Sequence, residues 1–222
     1  MEIEIVKPQE IEKRSFEIIE EELKERGIVL PEKEVPITKR VIHTSADFSY
    51  AETMTYSPGA IEQALELIKG GAHIVTDTNM ALSGVSKPGL KKLGGTAVCF
   101  MADPEVAEEA KRRGTTRAVI SAEKAAREFP SCIYAVGNAP TALFEIVRQM
   151  DQGFRPALVI GVPVGFVNVV EAKETLLSAC RTRGIPAIVA MGRKGGSTVA
   201  AAILNALIYQ AAEMQQPEQR GW

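Results

Sequence analysis

Little in this sequence suits a secreted, metal-binding or nucleic-acid-binding protein. Its three cysteines, Cys99, Cys132 and Cys180, are widely spaced and form no CxxC pair. That excludes a zinc knuckle or a redox dithiol and suits core thiols in a reducing cytoplasm, where the protein is expected to work. Only two histidines occur, His43 and His73, too few for a histidine-rich centre, so no metal is expected. Aromatic residues make up 5% of the chain, which leaves an aliphatic core. A formal net charge of −2 gives no positive field for nucleic acid. No apolar run approaches the ~20 residues of a membrane span, so no membrane contact is expected. Met1 is followed by Glu-Ile-Glu rather than a basic patch and an apolar stretch, so no secretory signal is expected.

What is present is an apolar fraction of 45% over 222 residues, enough to fill one α/β domain spanning 1–222. Residues 1–70 read as a mainly helical segment packed on it, and 215–222 as a frayed polar tail. A helix is expected over 8–27, with Pro8 in its first turn and Gly27 at its end; Ile11, Ser15, Ile18, Ile19 and Leu23 share one stripe. Pro36 opens a second helix expected to run to about Phe48, and 58–70 form a third. Five continuous apolar runs follow, at 72–76, 96–101, 132–136, 157–161 and 186–190. Helical patterns separate them, at 104–113, 116–129, 140–152, 168–183 and 197–214. Continuous rather than alternating runs mark parallel strands covered on both faces. The alternation predicts a three-layer, doubly wound sheet of about five parallel strands.

Glycine turns after the last three runs, at 137–143, 161–166 and 192–197, would line the carboxyl edge of that sheet. Bare N–H groups and the helix starts at Asn138–Thr141 and Ser197 could hold carboxylates or phosphates there. Neither GxxxxGK[ST] nor GxGxxG occurs, which disfavours a nucleotide enzyme. On the second helix, Arg40, His43 and Asp47 fall within a narrow arc. They form either a solvated face with a His–Asp pair or a pocket wall with His43 as proton donor, Asp47 favouring the imidazolium and Arg40 opposing it. Ser15 either bonds back to the Ile11 carbonyl or meets a ligand. Arg117 opens a helix capped by Thr115 or Thr116; it either reaches elsewhere on the surface or faces an external anion. Arg193 and Lys194 invite that reading more weakly. Asp77 and Asn79 follow the first strand, where Asp77 could act at the site or cap the next helix. His73 is expected to be buried or lateral in its strand.

Three stretches together resemble one family: Val136-Gly-Asn-Ala-Pro-Thr-Ala-Leu-Phe144, Gly161-Val-Pro-Val-Gly-Phe-Val167 with Glu171 and Lys173 beyond it, and Gly192-Arg-Lys-Gly-Gly-Ser197. The chain resembles the precorrin-8X (cobalt-precorrin-8) methylmutases of cobalamin biosynthesis from Arg14-Ser15-Phe16 to its last helix. The resemblance implies an isomerase that moves a methyl group from C11 to C12 of a tetrapyrrole corrin precursor, giving hydrogenobyrinate or cobyrinate. It implies His43 as the catalytic residue and Ser15, Arg40 and Arg117 as substrate-binding residues. It also implies a flavodoxin-like fold, a homodimer and no cofactor. Glu171-Ala172-Lys173 departs from the Glu-Ser-Lys of many relatives, so a serine contact at 172 is absent, and the variable Thr-Ser-Ala-Asp after His43 lends Asp47 no support. A non-catalytic corrinoid carrier is the alternative reading.

Overall fold

The computed structural model describes residues 5–220. Met1–Glu4, read above against a signal segment, and the last two residues of the expected tail lie outside the described residues. Seventeen elements follow in order: α1 (Ile11–Glu25), α2 (Val35–Ser45), α3 (Tyr50–Thr53), β1 (Met54–Tyr56), α4 (Ala60–Lys69), β2 (His73–Thr76), α5 (Asn79–Gly84), α6 (Lys87–Lys92), β3 (Thr96–Val98), α7 (Pro104–Arg113), α8 (Arg117–Glu128), β4 (Ile133–Val136), α9 (Pro140–Asp151), β5 (Leu158–Gly161), α10 (Val169–Arg183), β6 (Ala187–Ala190) and α11 (Ser197–Ala211).

The sheet order is β1-β6-β5-β4-β2-β3, parallel except for β1, which pairs antiparallel with β6. Taken alone, the five parallel strands have the order 2-1-3-4-5 of flavodoxin-like sheets, with the switch point between β2 and β4. All five expected strands are present. The sixth, β1, was not foreseen, because three residues between two helices leave no apolar run to read. β3 is shorter than expected: it stops at Val98.

Successive strand residues face opposite cores. Ile74, Ile133, Ile160 and Ile188 join a core built with α1–α6 and α11. Val75, Tyr134, Val159 and Val189 join one built with α7–α10. Helix α11 is buried nearly all round from Val199 to Ala211, as an apolar central helix must be.

Four further expectations need correcting. Helix α2 ends at Ser45, because Ala46 turns left-handed (φ 51°) and its N–H closes on the Ile42 carbonyl at 2.7 Å, a helix stop no glycine announces. Phe48 and Asp47 are therefore off the helix. On the α1 stripe only Ile19 and Leu23 are buried, whereas Ile11 and Ile18 stay exposed. The tail is not frayed through 220: Pro217–Arg220 form a 3-10 turn and Arg220 is buried. Cys132 and Cys180 are buried, but Cys99 is only half-buried.

Candidate active site

The three glycine turns do converge on the carboxyl edge of β4, β5 and β6. A Cβ on Gly137 would lie 2.7 Å from the Ser197 Cα, so the first and third turns touch through bare backbone. Gly196 N–H donates to the Val162 carbonyl at 2.9 Å and Gly165 N–H to the Arg193 carbonyl at 3.2 Å. Thr78 and Ser197 hydroxyls meet at 2.8 Å.

Three N–H groups of the first turn, where an anion was expected, are already occupied. Asp77, buried at the switch point, accepts from the N–H of Gly137, Asn138 and Ala139, each at 2.8 Å. The chain thus satisfies these three N–H groups with its own carboxylate. Burial raises the Asp77 pKa while the three N–H bonds oppose it. Asp77 does not cap α5; Thr78 does, its hydroxyl accepting from Ala81 N–H at 3.0 Å. Asn79 is the exposed first residue of α5.

The third turn is braced from below. Lys173 is fully buried, and its ammonium donates to the carbonyls of Gly192 and Lys194, both at 2.8 Å. Burial lowers its pKa to about 8. Ala172 beside it is buried in the second core, so position 172 meets no ligand. Lys194 pairs with Asp47 at 2.6 Å and with the Ser49 hydroxyl at 3.0 Å. Arg193 lies over the exposed Phe166 ring at 5.7 Å. Val164 and Val167 are exposed on the same loop.

The Lys194–Asp47 bridge brings the end of α2 to this edge. There His43 occupies the last turn of α2, where the helix dipole favours its imidazolium. One side of its ring tilts against Phe16, with centroids 5.1 Å apart. Arg40, one turn earlier, lies 5.2 Å from the Phe16 centroid and 5.1 Å from that of Tyr209. The carboxylate that acts on His43 electrostatically is Glu12, not Asp47. Desolvation lowers the His43 pKa below its ordinary value, Glu12 opposes this, and Arg40 adds to it. Asp47 is instead held below the usual carboxylate range by Lys194, burial opposing, and by Ser49. Burial would raise the Glu12 carboxyl, but the bonds from Arg40 and Arg220 outweigh it and its pKa falls.

The structure brings His43 and Arg40 together around Phe16. Ser15 precedes that ring and bonds back to the Ile11 carbonyl at 2.8 Å, the bland alternative of its two. Arg117 stands apart from this group. It starts α8, on the opposite face of the sheet, and reaches the Met101 carbonyl at 3.5 Å. The Thr116 cap and its contact with Thr141 at 3.2 Å keep Arg117 at the carboxyl edge. His73 is exposed rather than buried, at the far end of β2, with Nδ1 2.6 Å from the Thr96 hydroxyl. Sequence reasoning missed Glu12 and Arg220, whose pairing no local spacing shows.

Comparison with known proteins gives one answer. A family model described as precorrin-8X methylmutase matches residues 10–210. The chain is 45% identical over 203 residues to a cobalt-precorrin-8 methylmutase of Priestia megaterium, covering 91% of this chain and 88% of that one. It is 42% identical over 214 residues to one of Salmonella typhimurium, covering 94% and 98%. A solved precorrin-8x methyl mutase structure from Thermus thermophilus superposes with a TM-score of 0.82 at 40% identity, covering 92% of this chain and 98% of that one.

Proposed function

The chain belongs to the precorrin-8X methylmutase family, and from that premise we propose that His43 is its acid and that Arg40, Arg117 and Ser15 hold its substrate. The protein is an isomerase of cobalamin biosynthesis that moves a methyl group from C11 to C12 of (cobalt-)precorrin-8. Substrate and product are isomers, so nothing is added and nothing leaves. In this reading His43 as imidazolium donates its N–H to the macrocycle near the migrating centre and draws electron density away. The C11–methyl bond breaks as the C12–methyl bond forms, and His43 has its proton back at the end. One positioned acid of this kind supplies roughly 10²–10⁴-fold in rate.

The observation that carries the proposal is the placement of His43. The imidazole is exposed at the end of α2, backed by Phe16, with Arg40 a turn away. The lowered pKa makes the imidazolium a stronger acid while shrinking its protonated fraction as pH rises. The precursor bears many acetate and propionate groups, which suit guanidinium partners. Arg40 and Arg117, on opposite faces of the sheet, would take carboxylates of one polyanion. The exposed Val164, Phe166 and Val167 offer apolar surface for the flat ring.

Purified His43→Ala protein should shift the visible spectrum of added corrinoid, as a binder does, yet form no product. Turnover at the wild-type rate would remove His43 from the mechanism. A carrier that holds the corrinoid unchanged is not favoured, since the relatives named above are methylmutases. A homodimer is part of the proposal, and light scattering should give about twice the 24.0 kDa of one chain. A cytoplasmic site of action is also proposed; among the described residues no helix is long and apolar enough to cross a membrane.

A further inference from the structure

Glu12 meets more positive charge than one carboxylate needs. Arg220 Nη1 donates to both of its oxygens at 2.7 Å, and Arg40 Nη2 donates to Oε1 at 3.0 Å. The two guanidiniums also share the Tyr209 ring, at 4.1 Å for Arg220 and 5.1 Å for Arg40. Arg220 is only 4% exposed. Its other donors go to the Met214 carbonyl at 3.0 Å and to the Gln215 carbonyl, so it is a fixed clamp with little left for a ligand. Arg40 differs. Of its five N–H donors, the one bonded among the described residues is the one to Glu12. It lines a cavity of about 260 Å³ with Phe16, Lys39, Tyr209, Gln215 and Arg220. Ligand pockets usually measure roughly 300–1,000 Å³, so this one is too small for a macrocycle and suits a single carboxylate arm.

We propose that Glu12, clamped by Arg220, is a positioning residue of the site: it ties Arg40 down by one N–H, leaves the rest of that guanidinium for a ligand carboxylate, and sets the charge facing His43. With Arg220 gone, Glu12 would close on Arg40 with both oxygens, as an isolated carboxylate–guanidinium pair prefers. Two other charged groups on and just after α2 are paired. Lys39 pairs with Glu20, and Asp47 with Lys194. The Glu12–Arg40–Arg220 set carries a net charge of +1, which Glu12→Gln raises to +2 and Arg220→Gln lowers to zero. The proposal rests on the functional reading above only for what the arrangement serves.

Only two histidines occur, so proton NMR can titrate both in the ligand-free protein, with His43→Ala assigning the signal. Glu12→Gln should lower the His43 midpoint and Arg220→Gln should raise it, each by a few tenths to about one pH unit. The double variant restores the set's wild-type net charge of +1, so its midpoint should lie between those of the two single variants. In a second arm, Arg220→Gln should weaken cobyrinate binding roughly tenfold by occupying Arg40. Where Arg220→Gln does not fold, Arg220→Lys replaces it: the charge stays but the Nε and Nη2 anchors to the Met214 and Gln215 carbonyls go, so the midpoint holds while affinity falls. Identical midpoints in all variants, or unchanged cobyrinate affinity, would overturn the proposal. The titrations contain no corrinoid, so their outcome is separable from that of the turnover test.

Discussion

Lys173→Met should abolish a rise in stability between neutral and alkaline pH. The native ammonium is fully buried under the third glycine turn, and its pKa is lowered to about 8 by desolvation, against an ordinary 10.5. Between those values the unfolded chain carries a proton that the native lysine has released. The unfolded state binds more protons there, so stability rises with pH across this window, and the penalty of the buried charge is felt in full below it. At about 1.4 kcal/mol per pH unit, the gap amounts to about 3 kcal/mol. Other groups titrate in the same range, including Cys132 and Cys180, both raised to about 12 by burial. The informative quantity is therefore the difference between wild type and variant, in which those groups cancel. Urea unfolding at pH 7.5 and at pH 10.5 measures it. With an m-value near 3 kcal/mol/M, the wild-type midpoint should gain roughly 1 M relative to Lys173→Met. Parallel responses of the two proteins would refute the reasoning and mean that Lys173 is solvated.

Two other substitutions test the framework of the carboxyl edge. Asp77→Asn can keep at best two of the three N–H bonds and turns an amide against the third, a loss of about 2–4 kcal/mol. Its Tm should fall by roughly 5–10 °C, with faster amide exchange at 137–139; an unchanged Tm would contradict the role given to the carboxylate. The Tyr134 hydroxyl is buried without a hydrogen-bond partner among the described residues. Tyr134→Phe should leave Tm unchanged or raise it, by up to about 1 kcal/mol in stability, and a drop of several degrees would reveal a bound water as its partner.

The sheet was legible because its strands are continuous apolar runs punctuated by glycine, and because Pro104, Pro140 and the Thr116 cap announce helix starts. What escaped was set by tertiary structure. Ala46 ends α2 in a left-handed conformation that its side chain does not advertise, which moved Asp47 from the His43 face to Lys194. The bare N–H groups of the first turn were read correctly as an anion site, but their anion is Asp77, 60 to 62 residues earlier in the chain. Glu12 and Arg220 lie 208 residues apart, and only the packing of α1, α2 and α11 brings them to Arg40. His43 and Arg40 were legible as a pair because helical spacing alone groups them.

The most direct measurement is a crystal structure of the protein with bound cobyrinate. The account predicts an imidazole nitrogen of His43 within hydrogen-bond reach of the ring beside C11 and C12, about 3 Å from its nearest ring atom. A corrin ring seated well away from that nitrogen, with another acid against the migrating methyl, would contradict it.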